Sequence, residues 1–235
     1  MPLLCILNVA NKMKIEESIP HTALPWELSG EGYILNYWLS PAFTRRSQNF
    51  GLVEAKFGRI VQVILVRYYS SPVGPYDELL VLDHTTQNFK ISSNIPKIYV
   101  SSQASVNEGR YHWGIPKELA SFNWKHSKQQ LHCDIQVGSE TLSLTINLTQ
   151  LKSSHAISSK LIPSRLLNIQ QKDHLFLYQF SPKFKSKIAY ISNATWNNTQ
   201  SIFPDFSKAT FLKGFYSTDF KLIFPESIKT KLVNT

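Results

Sequence analysis

The chain has 235 residues, 43% of them hydrophobic and 17% charged, a balance that gives a globular core and excludes wholesale disorder. Its two cysteines, Cys5 and Cys133, exclude a disulfide framework or a cysteine-based metal site. The net charge of +9 is uneven: residues 1–150 carry 13 Lys+Arg against 12 Asp+Glu, and residues 151–235 carry 12 against 4. The surplus is therefore spread lysines of the last third, with Arg165 the one arginine there. Nucleic-acid readers cluster their charge and favour arginine, so a solvated lysine surface is expected and no nucleic-acid partner.

In chain order, residues 1–24 read as an N-terminal extension and 25–235 as a single domain. The apolar start MPLLCILNV is short, lacks a basic flank and is followed by Asn11-Lys12, so no signal peptide is expected, and Met13 is an alternative start. No stretch approaches the roughly 20 apolar residues that span a bilayer. A reduced, cytoplasmic protein without membrane contact follows as the expectation, and the sequons at Asn147, Asn193 and Asn197 read as chance.

Arg59–Tyr69 is a β-branched run that predicts a strand buried on both faces. Leu79–Leu82 and Lys97–Ala104 are further strand candidates. Leu131, Cys133, Ile135 and Val137 alternate with polar residues, as do Leu142, Leu144, Ile146 and Leu148. With Gly138-Ser139-Glu140 between them they predict a hairpin. Later strands are expected at 174–180, 187–191, 209–215 and 219–224. Short helices are expected at Pro116–Ala120, Pro163–Ile169 and Pro225–Val233. The pattern predicts a mainly β (α+β) fold, an antiparallel barrel or cone with short peripheral helices.

Two segments differ from ordinary core. In Tyr76-Asp77-Glu78-Leu79-Leu80, Asp77 and Glu78 fall on opposite faces of a strand. If Glu78 faces inward with Leu80 it is a buried carboxylate, a candidate acid or base; an exposed strand-end glutamate is the alternative. In Glu108–Trp124, Lys117 lies among Trp113, Ile115, Leu119, Phe122 and Trp124. An apolar pocket disfavours an ammonium ion, and a neutral amine can attack a ketone to form a Schiff base. An exposed lysine in a helical first turn is the alternative. His112 in the same segment is either pocket-facing or structural. The seven histidines include no His-x-His or His-x-x-x-His pair, so no metal site is expected.

Both segments resemble the acetoacetate decarboxylase family. Gly109-Arg110, Ile115, Pro116, Lys117 and Leu119 match its lysine motif, Tyr76-Asp77-Glu78 matches its upstream Tyr-x-Glu at the same distance, and Pro25–Tyr33 resembles the start of its domain. The resemblance implies that Lys117 is the Schiff-base lysine and Glu78 the inward carboxylate, with Arg110, Tyr76, Trp113 and Ile115 shaping a substrate site. It implies a β-cone or barrel around a pocket, a homo-oligomer, a small-molecule keto substrate, and no metal or organic cofactor. The expected function is a Schiff-base lyase; a non-catalytic β-cone binding a hydrophobic small molecule is the alternative.

Two positions depart from the family pattern. Glu118 stands where the decarboxylase has a second lysine, which leaves the apolar pocket as the means of activating Lys117. Glu31 stands before Tyr33, near where the decarboxylase has an arginine for the substrate carboxylate. Both departures point to a different carbonyl substrate.

Overall fold

The computed structural model describes residues 21–87, 90–148, 155–198 and 201–232. Cys5, the signal-peptide reading, Met13 and the threonines of two sequons (Thr149 and Thr199) lie outside the described residues.

The chain is mostly β. It opens with β1 (Trp26–Leu39), α1 (Pro41–Arg46), β2 (Arg59–Ser70), β3 (Tyr76–Gln87) and β4 (Lys90–Val100). Helix α2 (Gln103–Trp113) leads to a three-residue strand, β5 (Lys117–Leu119). Then come β6 (Ser121–His126), β7 (Gln130–Val137), β8 (Glu140–Asn147), β9 (His155–Ser158), α3 (Ser164–Leu167), β10 (Ile169–Lys172), β11 (Phe176–Phe180), β12 (Lys183–Ile191), β13 (Asn193–Asn197), β14 (Thr210–Phe224) and β15 (Ile228–Lys231). One sheet follows the order β15-β11-β10-β4-β3-β2-β1-β14-β12-β9, with β5 attached to β4. A second, smaller sheet has the order β13-β8-β7-β6. Among the described residues no pairing joins β15 to β9, so the large sheet is an open path.

Strand alternation divides the interior into two cores, one on each face of the large sheet. Tyr33, Leu35 and Tyr37 of β1, Val61, Val63 and Leu65 of β2, and Leu79 and Val81 of β3 point to one face. There they meet Leu131, Cys133, Ile135, Leu142, Leu144 and Ile146 of the small sheet. The alternation in β7 and β8 is the one their sequences display, and the turn between them carries Gly138 at φ 60°, a left-handed conformation that suits glycine. The opposite face presents Trp26 and Leu28, Val66 and Tyr68, Tyr76 and Leu80, and Ile98 and Val100, covered by Val106 and Trp113 of α2.

Three expectations need correction. Pro116–Ala120 is not a helix: Lys117–Leu119 pairs in parallel with Ile98–Val100, and this pairing overrides the helical propensity of Lys-Glu-Leu. The helix lies upstream, where Ser102 Oγ accepts from Ser105 N at 3.3 Å and Gly114 ends it at φ 62°. Nor do the described residues of the expected helix Pro225–Val233 form one: Ile228–Lys231 is β15, paired with β11, and Val233 lies outside the described residues. The strands expected at 209–215 and 219–224 are one continuous β14, with register shifts against β1.

Candidate active site

Lys117 reaches the face bearing Trp26, Tyr76 and Leu80. The parallel register sets it opposite Ile98, so the two side chains share a side of the sheet, while Glu118, opposite Tyr99, projects the other way. Arg110 fixes the height of β5: its Nε and Nη2 donate to the Lys117 carbonyl at 3.0 and 2.6 Å. Gly109 fixes the path of the lysine stem. A Cβ there would lie 2.6 Å from Lys117 Cδ and 2.8 Å from Cε, so only glycine lets the stem lie flat across the helix. The Gly-Arg pair is thus a cradle for the lysine.

The amine ends at a buried carboxylate. Lys117 Nζ donates to Glu78 Oε2 at 3.0 Å and to Ser105 Oγ at 2.9 Å, and lies 5.2 Å from the Tyr76 ring centroid. Tyr68 OH donates to Glu78 Oε1 at 3.0 Å. Lys117 and Glu78 are each 4% exposed. Burial and then the Glu78 charge hold the Tyr68 and Tyr76 phenols well above their ordinary pKa, so both remain neutral. An ion pair this deep persists only with such hydrogen bonding around it, because desolvation costs each ion several kcal/mol.

Beside the pair lies a cavity of about 30 Å³, where one water needs roughly 10–15 Å³ by the same measure. Its walls are mainly apolar, from Trp26, Leu28, Leu80, Ile98, Ile115 and Phe224. Tyr76, Trp113, Glu78 and Lys117 complete the expected set. Arg110 is absent from this lining and is an exposed residue, so its guanidinium serves the backbone and does not face the cavity.

Both departures from the family pattern lie on the other face. Glu118 Oε1 accepts from Lys97 Nζ at 2.6 Å. Glu31 lies on the Tyr33 side of β1, where its Oε2 accepts from Tyr216 OH at 2.8 Å; burial, then this contact, pushes the Tyr216 phenol up to about 12. Ser105 and Tyr68 are the site residues that the sequence did not single out. Ser105 belongs to the helix that sequence reasoning missed, and Tyr68 reads as one more aromatic in an apolar strand; only its spacing of two from Val66 hints at its face.

The fold also gathers His21, Glu108 and His112, whose ligand atoms lie within 4.8 Å of one another although no sequence spacing suggests it. These are metal-ligand types, but the carboxylate here is a hydrogen-bond hub. His21 Nδ1 is 2.9 Å from Oε1, while Oε2 accepts from Thr22 N at 2.9 Å, Thr22 Oγ1 at 2.7 Å and His112 Nε2 at 3.1 Å. Burial raises the Glu108 pKa, yet the bonds from Thr22 and His21 outweigh it and leave the pKa lowered. Burial lowers that of His112 against the raising effect of Glu108. The hub fastens the segment before β1 to α2.

Comparison with known proteins now bears on this arrangement. The acetoacetate decarboxylase (ADC) family model matches residues 52–203. Among solved structures, an acetoacetate decarboxylase from Legionella pneumophila is similar with a TM-score of 0.68 at 13% identity, covering 98% of this chain and 92% of that one. The enduracididine biosynthesis enzyme MppR, complexed with pyruvate, has a TM-score of 0.64 at 14% identity, covering 91% and 93%. An acetoacetate decarboxylase-like enzyme from Sphingomonas wittichii RW1 has a TM-score of 0.64 at 10% identity, covering 89% and 94%. No curated protein matches.

Proposed function

Because this chain belongs to the acetoacetate decarboxylase family, we propose that it is a cofactor-independent Schiff-base lyase acting on a keto acid or related carbonyl compound through Lys117. One observation carries the reading: the Lys117 amine is buried at the wall of an apolar cavity, within hydrogen-bond reach of a single carboxylate. The MppR complex with pyruvate supports a small carbonyl ligand for a cavity of this fold.

The pair can run the chemistry with one proton. Lys117 Nζ passes a proton to Glu78 Oε2, and the neutral amine attacks the substrate carbonyl carbon. Glu78 returns the proton to the departing hydroxyl, water leaves, and a protonated imine stands beside the regenerated carboxylate. The imine accepts the electron pair of the breaking bond at the α-carbon and becomes an enamine. Protonation of the enamine carbon and addition of water release the product and restore the amine. The imine is the electron sink, so this cycle uses neither a metal nor an organic cofactor. Tyr68 and Ser105 hold Glu78 and Nζ in line, and Tyr76, Trp113 and Ile115 exclude water from the imine. Arg110 acts as a positioning residue through the Lys117 carbonyl. The same proposal includes a sheet closed into a cone, a homo-oligomer and a cytoplasmic location.

Reductive trapping tests the reading. Cyanoborohydride with a small ketone should add the mass of one reduced adduct at Lys117 and none in Lys117→Ala. An adduct confined to other lysines would exclude the Schiff-base role, and binding of the ketone without any adduct would favour the non-catalytic alternative.

A further inference from the structure

We propose that the substrate of this site is a small uncharged carbonyl compound, and that a free keto acid is selected against; this rests on the Schiff-base reading of Lys117. Among the described residues, Lys117 and Glu78 are the only Lys, Arg, Asp or Glu side chains in the cavity lining, and they neutralise each other at 3.0 Å. Imine formation keeps that balance, since the protonated imine replaces the ammonium beside the same carboxylate. A substrate carboxylate would add a second buried anion to a site with one cation, and burying an unpaired anion is costly.

The neighbouring cations are committed elsewhere. Arg110 donates from Nε and Nη2 to the Lys117 carbonyl and is not part of the cavity lining. Arg67 pairs with Asp77 at 3.2 Å and Lys97 with Glu118 at 2.6 Å, both on the far face of the sheet. The position near which the family pattern has a carboxylate-holding arginine is Glu31, also on the far face and bonded to Tyr216. The phenol of Tyr68 is spent on Glu78. What remains for the rest of the substrate is the neutral Tyr76 phenol and a hydrocarbon and aromatic wall of Trp26, Leu28, Leu80, Ile98, Ile115 and Phe224. Such a wall suits an alkyl group, and a cavity of about 30 Å³ suits a short one.

For an uncharged ketone the proton account closes within the site. With a hydroxyl on the β-carbon of such a ketone, the Glu78 carboxylate left beside the imine takes the hydroxyl proton, the Cα–Cβ pair moves into the imine to give the enamine, a second carbonyl compound leaves, and Glu78 is now the acid. Return of that proton to carbon, from the same oxygen, regenerates both partners with no outside acid. Loss of carbon dioxide would put no proton on Glu78, so the enamine carbon would have to take its proton from a source other than Glu78.

The test uses the wild-type protein and two pairs of near-isosteres: 3-methylbutan-2-one with pyruvate, and 4-methylpentan-2-one with acetoacetate. Each is trapped with cyanoborohydride, and the rate of adduct formation at Lys117 is divided by the rate on Nα-acetyl-lysine amide to remove intrinsic carbonyl reactivity. The expected result is that the uncharged member of each pair reacts at Lys117 at least about tenfold faster after this correction. Equal or faster trapping of the acids at Lys117 would overturn the substrate assignment and leave the Schiff-base reading standing. No adduct at Lys117 from any of the four would overturn both.

Discussion

Removing the Glu78 carboxylate leaves the Lys117 ammonium buried without its counter-ion, while Ser105 Oγ remains as its polar contact. Unpairing a buried ion in this way costs about 3–5 kcal/mol, whereas replacing both partners by apolar residues of similar size is often neutral. Glu78→Ala should therefore lose about 3–5 kcal/mol of unfolding free energy in a denaturant titration, and Lys117→Met/Glu78→Leu should regain most of it while forming no adduct. Equal losses in the two variants would mean that the pair is held for stability. Sequence reasoning could name Lys117 and Glu78 because their neighbours are apolar and their spacing matches a known motif. It could not name Ser105 or Tyr68, since a serine and a tyrosine are ordinary in a helix and a strand. Their roles exist only where α2, β2 and β3 meet. Arg110 shows the converse: a residue singled out as part of a motif, whose Nε and Nη2 meet the Lys117 carbonyl and not the cavity.

At the scale of elements, the site is a joint between α2 and β5. Helix interiors favour alanine over glycine by about 1 kcal/mol, so Gly109→Ala should gain in the helix what it loses by crowding, and stay folded. Its methyl would meet the Lys117 stem at 2.6 Å. A displaced amine should lower the trapping rate at Lys117 by about 10- to 100-fold, with unfolding free energy within about 1–3 kcal/mol of wild type. An unchanged trapping rate would show that the stem can shift without losing its alignment. The same joint explains the misplaced helix. Pro116 followed by Lys-Glu-Leu has local helical character, but three residues are too few to nucleate a helix, and the free edge of β4 offers them hydrogen bonds at once. Ser102 and Gly114 were the true signals, a cap and a stop twelve residues apart, the cap hidden inside the run Lys97–Ala104 that reads as strand.

At the scale of the molecule, the large sheet separates the chemistry from the bulk of the apolar core. Leu144 is fully buried between the two sheets, on the face away from Lys117. Leu144→Ala should cost about 2–5 kcal/mol in denaturant unfolding yet leave the trapping rate per folded molecule unchanged. A matching fall in trapping would show that the two cores are coupled through the sheet. The charge surplus obeys the same separation. Of the lysines of the last third, Lys185, Lys187 and Lys221 share an open groove with Asp219 beside β9. Among the described residues no helix is long and apolar enough to cross a membrane.

By itself the sequence determined the β class, the β7–β8 hairpin and the buried strand β2, and it singled out Lys117 and Glu78 as candidates. These rest on local periodicity and on residue types in fixed order, which survive in one dimension. Only the tertiary structure decided which face each charge occupies. Glu31 and Glu118 lie within a few residues of the site in sequence, yet strand alternation turns both through the sheet to Tyr216 and Lys97. That inversion comes from the parity of strand registers set by distant pairings, and it leaves Glu78 as the one carboxylate at Lys117 Nζ among the described residues.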